Sequence, residues 1–269
     1  MTMTNLIAFL FFIFIIFTLI CIFFCIEAHF RYQNHAGIAN ENSFTQHYKY
    51  FGQPIYQHDQ RLIGYELLLR QYNSQSKQWQ LPENIEKFPL NWVVAVIREI
   101  DPKAISQIET LALNMTVSQL IDPRANYFFN WLLGTINHQR IIIELNASEI
   151  VHVGIIKRYR LLKTLKKLDR SHIKVAIENV GSSKKEFSLL RPFLPYLDYL
   201  EFDITSFKKS LNHWIDITLA QWQRCAREYQ IVTAVIRVED PAQVALANQL
   251  EIKLRQGYSY GKPQPLSDY

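Results

Sequence analysis

Short β-rich runs and amphipathic helical runs alternate along most of this chain, and that alternation restricts its fold more than any other feature. The β-rich runs fall at 53–58, 62–69, 109–115, 139–145, 173–178, 198–203, 230–237 and 252–258. Between most of them lie segments of helical period, at 83–100, 117–134, 148–169, 185–195, 206–228 and 240–250. Only His58-Asp59-Gln60 separates the first two strands, so they form a hairpin. The strands after them are reached through helices, which argues a parallel sheet. The pattern predicts an α/β fold: a modified, TIM-like (β/α)8 barrel whose opening hairpin is the exception. An open doubly wound sheet is the alternative.

The strand Ile63-Gly64-Tyr65-Glu66-Leu67-Leu68-Leu69-Arg70 is apolar almost throughout and reads as buried on both faces. Glu66 and Arg70 lie four residues apart on one side of it. A buried charge needs a partner, a metal or a ligand to offset its desolvation. The strand therefore carries either an internal ion pair or a site at its end.

Ahead of this region, Leu6 to Ile26 is interrupted only by Thr18, Cys21 and Cys25. At about 1.5 Å per residue the run is roughly 31 Å long, enough to cross a hydrocarbon core of about 30 Å. A cleaved signal peptide is the competing reading. No Lys or Arg precedes the run and no small-residue cleavage site follows it, which favours an uncleaved single-pass anchor over 1–27. Arg31 just beyond the run, with no basic side chain before it, favours a cytoplasmic C-terminal side. Residues 28–50 are rich in Asn, Gln, His and Ser and form a polar linker, with 51–266 as the folded domain. His29, His35 and His47 have no ligand spacing and read as solvated surface.

The net charge of +5 is spread out rather than gathered into a stripe, which excludes a nucleic-acid polymer as partner. Three cysteines cannot build a disulfide framework, and Cys225 reads as a small buried hydrophobe. Arg160, Lys163, Lys167 and Arg170 share one face of the 155–170 helix, either as the solvated outside of a barrel or as a surface for an anionic leaflet. There is no Walker loop, G-x-G-x-x-G, zinc spacing or G-x-S-x-G.

Site residues of a barrel sit at the C-terminal ends of its strands. Those ends carry Glu66, Asn114, Glu144, Glu178-Asn179 and Asp203. Oxygen donors of this kind suit a hard cation such as Mg²⁺ or Mn²⁺. Caps and satisfied polar layers at a barrel mouth would give the same pattern.

These residues resemble a known family. Glu66-Leu67-Leu68-Leu69-Arg70 looks like the Glu-Ala-Leu-Leu-Arg signature of EAL domains, the cyclic-di-GMP phosphodiesterases. Leu113-Asn114-Met115-Thr116 resembles that family's Asn-Leu-Ser strand end, and Ile143-Glu144-Leu145 its Glu-Ile/Leu-Thr. Gln256-Gly257-Tyr258-Ser259-Tyr260-Gly261-Lys262-Pro263 resembles its closing Gln-Gly-Tyr-x-x-Gly-x-Pro. The resemblance runs in register over about 51–266 and implies the EAL barrel, its second strand antiparallel to the first.

The departures fall on the chemistry. The family's metal-holding Asp-Asp-Phe-Gly is Glu178-Asn179-Val180-Gly181 here. Its following loop, Thr-Gly-Tyr-Ser-Ser, is replaced by Ser182-Ser183-Lys184-Lys185-Glu186. The family's Lys beside the attacking water becomes Glu201, in Glu201-Phe202-Asp203. Its Ala-Glu-Gly-Val-Glu becomes Val235-Ile236-Arg237-Val238-Glu239, so Ile236 replaces a carboxylate. Two-metal hydrolysis needs both ions, roughly 3.5–4 Å apart. The resemblance thus implies a barrel with no catalytic residues in place, acting as a membrane-anchored regulator in cyclic-di-GMP signalling. Glu66, Asn114, Glu144, Glu178 and Asp203 could hold one residual cation, and Arg70 and Gln256 a ligand. Arg70 could instead pair with Glu66 or Glu201. Cyclic-di-GMP and a protein partner are both expected occupants. Homodimerisation is open, because EAL domains pair through the altered loop. A cyclic-di-GMP phosphodiesterase with a variant metal site is the alternative.

Overall fold

A computed structural model describes residues 3–33, 47–82, 88–136, 140–207 and 214–266. The chain divides into two units, Met1–Phe44 and Thr45–Tyr269. In the first, helix α1 (Met3–Gln33) contains Asn5–Glu27, 23 residues long and apolar enough to cross a membrane. The helix continues past residue 27 into the expected polar linker; the part of that linker at 34–46, with His35, lies outside the described residues.

In the second unit β1 (Tyr48–Gln57) begins earlier than its apolar core implies, because Tyr48, Tyr50 and Phe51 extend the pairing surface. It turns back into β2 (Leu62–Asn73) with Gln60 at φ 65°, while the Asp59 carboxylate accepts from the Arg61 N–H. A short β3 (Gln78–Gln80) folds back on the end of β2. Then follow β4 (Thr110–Asn114), β5 (Arg140–Asn146), β6 (Ile173–Val180), β7 (Tyr199–Asp203), β8 (Val232–Ile236) and β9 (Leu254–Arg255). From β2 through β4 to β9 each barrel neighbour is parallel. β1 alone runs against them, antiparallel to both β2 and β9, and so closes an eight-stranded barrel. β10 (Gln264–Pro265) pairs with β1 at Phe51 and Gly52.

Helices cover the barrel: α2 (Leu90–Ile97), α3 (Pro102–Ile105), α4 (Val117–Leu120), α5 (Ala125–Thr135), α6 (Ala147–His152), α7 (Ile155–Lys167), α8 (Lys184–Leu190), α9 (Leu219–Glu228) and α10 (Pro241–Gln249). Several expected helices are split. The 117–134 run breaks at Asp122-Pro123, since Pro supplies no N–H to continue the ladder. The 148–169 run breaks at Val153-Gly154, both extended. Residues Arg191–Tyr196 form a 3₁₀ segment around Pro192 and Pro195, where a longer α-helix was expected. Of the 83–100 helix, 83–87 lies outside the described residues and only Leu90–Ile97 is helical among the rest. Of 206–228, 208–213 lies outside them, a 3₁₀ turn ends at Phe207 and the helix starts at Leu219.

The period-two rule then sorts the side chains. Outward-facing Leu111, Ile143, Val175 and Ile177 are buried, as are the helix residues Leu120, Leu132, Ile150, Leu161 and Leu165. Inside the barrel, Ile55, Ala112, Ile142 and Ala176 form a packed layer. Asn114, Glu144 and Glu178 follow Ala112, Ile142 and Ala176 by two residues, so they share that inward face one layer nearer the mouth. Cys225 is half-buried rather than a core residue.

Gly64 is where β2 approaches β4 most closely, for a Cβ there would sit 2.1 Å from the Thr110 carbonyl oxygen. Gly64→Ala is expected to destabilise the domain by about 3 kcal/mol through overpacking against backbone that cannot yield. Gly134→Ala, in α5 with no atom within 4 Å of the new methyl, should stabilise it by about 0.5–1 kcal/mol. Chemical denaturation of the two variants should give shifts of opposite sign.

Candidate functional site

The C-terminal ends of β2, β4, β5, β6 and β7 bring Glu66, Asn114, Glu144, Glu178 and Glu201 to one mouth of the barrel. Glu66 is gripped by neutral donors. The Asn114 amide donates to one carboxylate oxygen at 2.7 Å and the Gln256 amide to the other. Gln256, expected to face a ligand, thus commits one amide N–H to Glu66 inside the protein. Arg70 is beside Glu66 but donates to the Leu69 carbonyl at 2.9 Å. It forms an ion pair with neither Glu66 nor Glu201, so its guanidinium remains available to the cleft.

Glu144 is 1 % exposed, and neither carboxylate oxygen has a hydrogen-bond partner. Burial pushes its pKa well above the carboxylate range, and the charges of Glu201, Glu66 and Glu178 push it further. Glu201 is buried and raised by the same causes, first desolvation and then Glu178 and Glu66. Glu178 is pushed up to about 7 by burial and by Glu66, against the lowering effects of Asn146, Arg237 and Asn179. The Asn146 amide donates to it at 3.3 Å. Glu66 is raised by burial despite the amide donors and nearby Arg70. Four glutamates therefore repel one another in a region of poor solvation.

Local backbone helps to produce this. The β6–β7 register slips between Ile177 and Val180, a bulge that sets both Glu178 and Asn179 against Glu201. Asn179 adopts φ 55°, and its buried side-chain oxygen has no hydrogen-bond partner. Asn tolerates this left-handed conformation better than most residues. Next along, Gly181 is held from two sides: its N–H donates to the Glu186 carboxylate and its carbonyl accepts from the Trp222 indole at 3.0 Å.

Asp203 departs from the expected set of cation ligands. One of its oxygens accepts from the Thr205 N–H and hydroxyl, and the other is paired with Arg237 at 3.0 Å. Ile236 stands opposite Asp203 in the β7–β8 register and is nearly buried. That wall is apolar and already neutralised. Arg237 and Asn146 are the site residues that sequence reasoning missed. Arg237 was visible within Val235-Ile236-Arg237, but its role depends on the pairing of β7 with β8.

The donor set can be weighed for metals. Oxygen donors dominate, and the two unpartnered oxygens of Glu144 are what a hard cation would seek. Among the described residues, however, no three His, Cys, Asp or Glu side chains are gathered to hold a metal ion as they stand. With Asp203 engaged, Asn179 neutral and Ile236 apolar, the residues do not fit a pair of ions. Beside the acids opens a cleft of about 830 Å³, bordered by Glu66, Arg70, Asn114, Asn146, Lys157 and Glu178.

The EAL domain profile matches residues 40–263. Among solved structures, the chain is similar to Bacillus subtilis YkuI, a protein with an EAL domain in complex with cyclic-di-GMP and calcium. The identity is 21 %, the TM-score 0.62, and the match covers 82 % of this chain and 56 % of that one, so this chain spans little more than half of YkuI. It is also similar to the FimX EAL domain of Pseudomonas aeruginosa bound to cyclic-di-GMP, at 19 % identity and TM-score 0.61, over 84 % of this chain and 94 % of that one. The calcium and cyclic-di-GMP complex of Klebsiella pneumoniae BlrP1 matches at 19 % identity and TM-score 0.59, over 83 % of this chain and 57 % of that one. Among curated proteins there is no match. With its profile spanning most of the sequence and the barrel closed as described, the chain belongs to the EAL-domain family, the family of cyclic-di-GMP phosphodiesterases.

Proposed function

We propose that this chain is a membrane-anchored EAL protein that binds at its barrel mouth without hydrolysing what it binds, and so regulates. The observation that carries this reading is Glu201, buried among Glu66, Glu144 and Glu178 where a Lys would offset their charge. Attack by water requires an ionised site and metals that stabilise both the entering and the leaving oxygen. Here the neighbouring acids are held toward their protonated forms, while Ile236 offers no oxygen and Asp203 is already paired with Arg237. Parts of such a site act as a unit, so losing several removes nearly all of the rate.

Binding is a lesser demand. Arg70 presents a guanidinium without an ion pair at the edge of a cleft, and a bidentate fork suits a phosphate. YkuI and the FimX EAL domain each hold cyclic-di-GMP, and that nucleotide is the ligand proposed here, with one divalent cation near Glu144. The cation would offset the charge of the acids. A protein partner is the other occupant this regulatory reading admits. The helix Met3–Gln33 would hold the domain at the cell membrane on its cytoplasmic side. A second reading, a slow phosphodiesterase, draws on the unpartnered oxygens of Glu144.

Calorimetry of the full chain in detergent should show cyclic-di-GMP binding that strengthens with Mg²⁺. Arg70→Ala should weaken it roughly 10- to 100-fold, the value of a charge-assisted contact. Chromatography of the same mixtures should show no linear dinucleotide. Product that disappears in Glu66→Gln would establish the second reading instead, and absence of binding would leave the protein partner.

The acid cluster also sets a pH dependence. The folded pKa of Glu178, about 7, lies above its ordinary value of 4.5, so the folded state binds the extra proton. This stabilising term is complete below about pH 4.5 and is lost as pH rises through 7, costing about 3 kcal/mol if the shift acts alone. The melting temperature should therefore fall between pH 5 and 8. Mg²⁺ should recover part of the loss at pH 8 but not at pH 5, and Glu178→Gln should flatten the profile.

A further inference from the structure

Helix α7 has an outer face turned largely away from the barrel. Its buried stripe is Leu161 and Leu165. At 100° per residue the opposite stripe is centred on Ile156, Lys163 and Lys167, flanked by Tyr159, Arg160 and Lys166. Ile155, Ile156 and Tyr159 are 78, 77 and 66 % exposed, an unusual cluster of large apolar side chains on one short helix. The helix contains no acidic residue, and among the described residues none of its Lys or Arg side chains forms an ion pair. Lys166 lies over the Tyr196 ring and Arg160 reaches the Ile121 carbonyl, but no acidic side chain offsets the charge of this face, and exposed apolar groups beside such cations suit an anionic lipid surface.

We propose that this face of α7 docks on the anionic headgroups of the bilayer that holds α1, with Ile155, Ile156 and Tyr159 entering the interface. The proposal rests on the anchored reading above. Chain length supports it: between Gln33 and Tyr48 fewer than twenty residues connect helix to barrel, a reach of at most roughly 50 Å even fully extended. The domain is thus confined near the headgroups, and each basic residue brought to an anionic surface favours contact by about fivefold. The N-terminal end of α7 also borders the cleft, where Lys157 donates to the Ser118 hydroxyl at 3.1 Å. Docking would turn that rim of the cleft toward the lipid.

The test uses the full chain in nanodiscs of phosphatidylcholine, with or without about one-quarter phosphatidylglycerol. Amine-reactive labelling is read at Lys163, Lys166 and Lys167, with exposed Lys77 and Lys253 as internal references. Labelling of the three should fall at least about fivefold in the anionic discs while the references stay constant, and high salt should reverse the difference. In a Lys163→Glu/Lys167→Glu variant, Lys166 should label equally in both lipids. Equal labelling of the unaltered chain in both lipids, or protection that survives both salt and the variant, overturns the docking. The anchor is judged separately. A chain that joins only the anionic discs retains docking and loses the anchored reading, and one that joins neither loses both.

Discussion

Everything at the barrel mouth depends on the antiparallel pairing of β1 with β2. The ladder runs from Tyr48 opposite Gln71 to Tyr56 opposite Leu62, and β1 then meets β9 on its other edge. By closing the sheet, that one reversed strand brings Gln256, just past β9, back to Glu66 on β2. Two residues 190 positions apart become hydrogen-bond partners because the edges have been joined. In an open sheet Glu66 would lose the Gln256 donor, and its charge would be harder to keep.

On this frame the acids impose a single electrostatic condition. Interior positions below them are filled by Ile55, Ala112, Ile142 and Ala176, which exclude solvent and give a carboxylate nothing to bond. Above that layer, Glu66 is satisfied by amides, Asp203 by a guanidinium and a hydroxyl, and Glu144 by nothing. The mouth is therefore uneven. One side is settled within the protein, while the other needs protons, a cation or a ligand to complete it.

Much of this was legible in the chain. The ends of successive β-rich runs put Glu66, Asn114, Glu144 and Glu178 at one mouth of a barrel, and the short His58-Asp59-Gln60 turn marked the hairpin that reverses the first strand. The charge change at Glu201 could be read directly from its place in Glu201-Phe202-Asp203. What could not be read were relations set by neighbouring strands. Asp203 looked like a cation ligand until β8 brought Arg237 beside it. Arg70 looked able to pair with Glu66, which instead takes donors from β4 and from the residue after β9. The bulge at Glu178-Asn179 left no period or turn signature, because it exists only relative to β7.

The Asp203–Arg237 contact carries a consequence of its own. Arg237 sits at φ 59° with a side chain 59 % exposed, so its charge is delivered from a loop rather than taken up from solution. A covalently supplied counter-charge cannot be diluted, exchanged or removed by a chelator. That half of the rim keeps its electrostatic balance however scarce divalent ions become in the surrounding compartment.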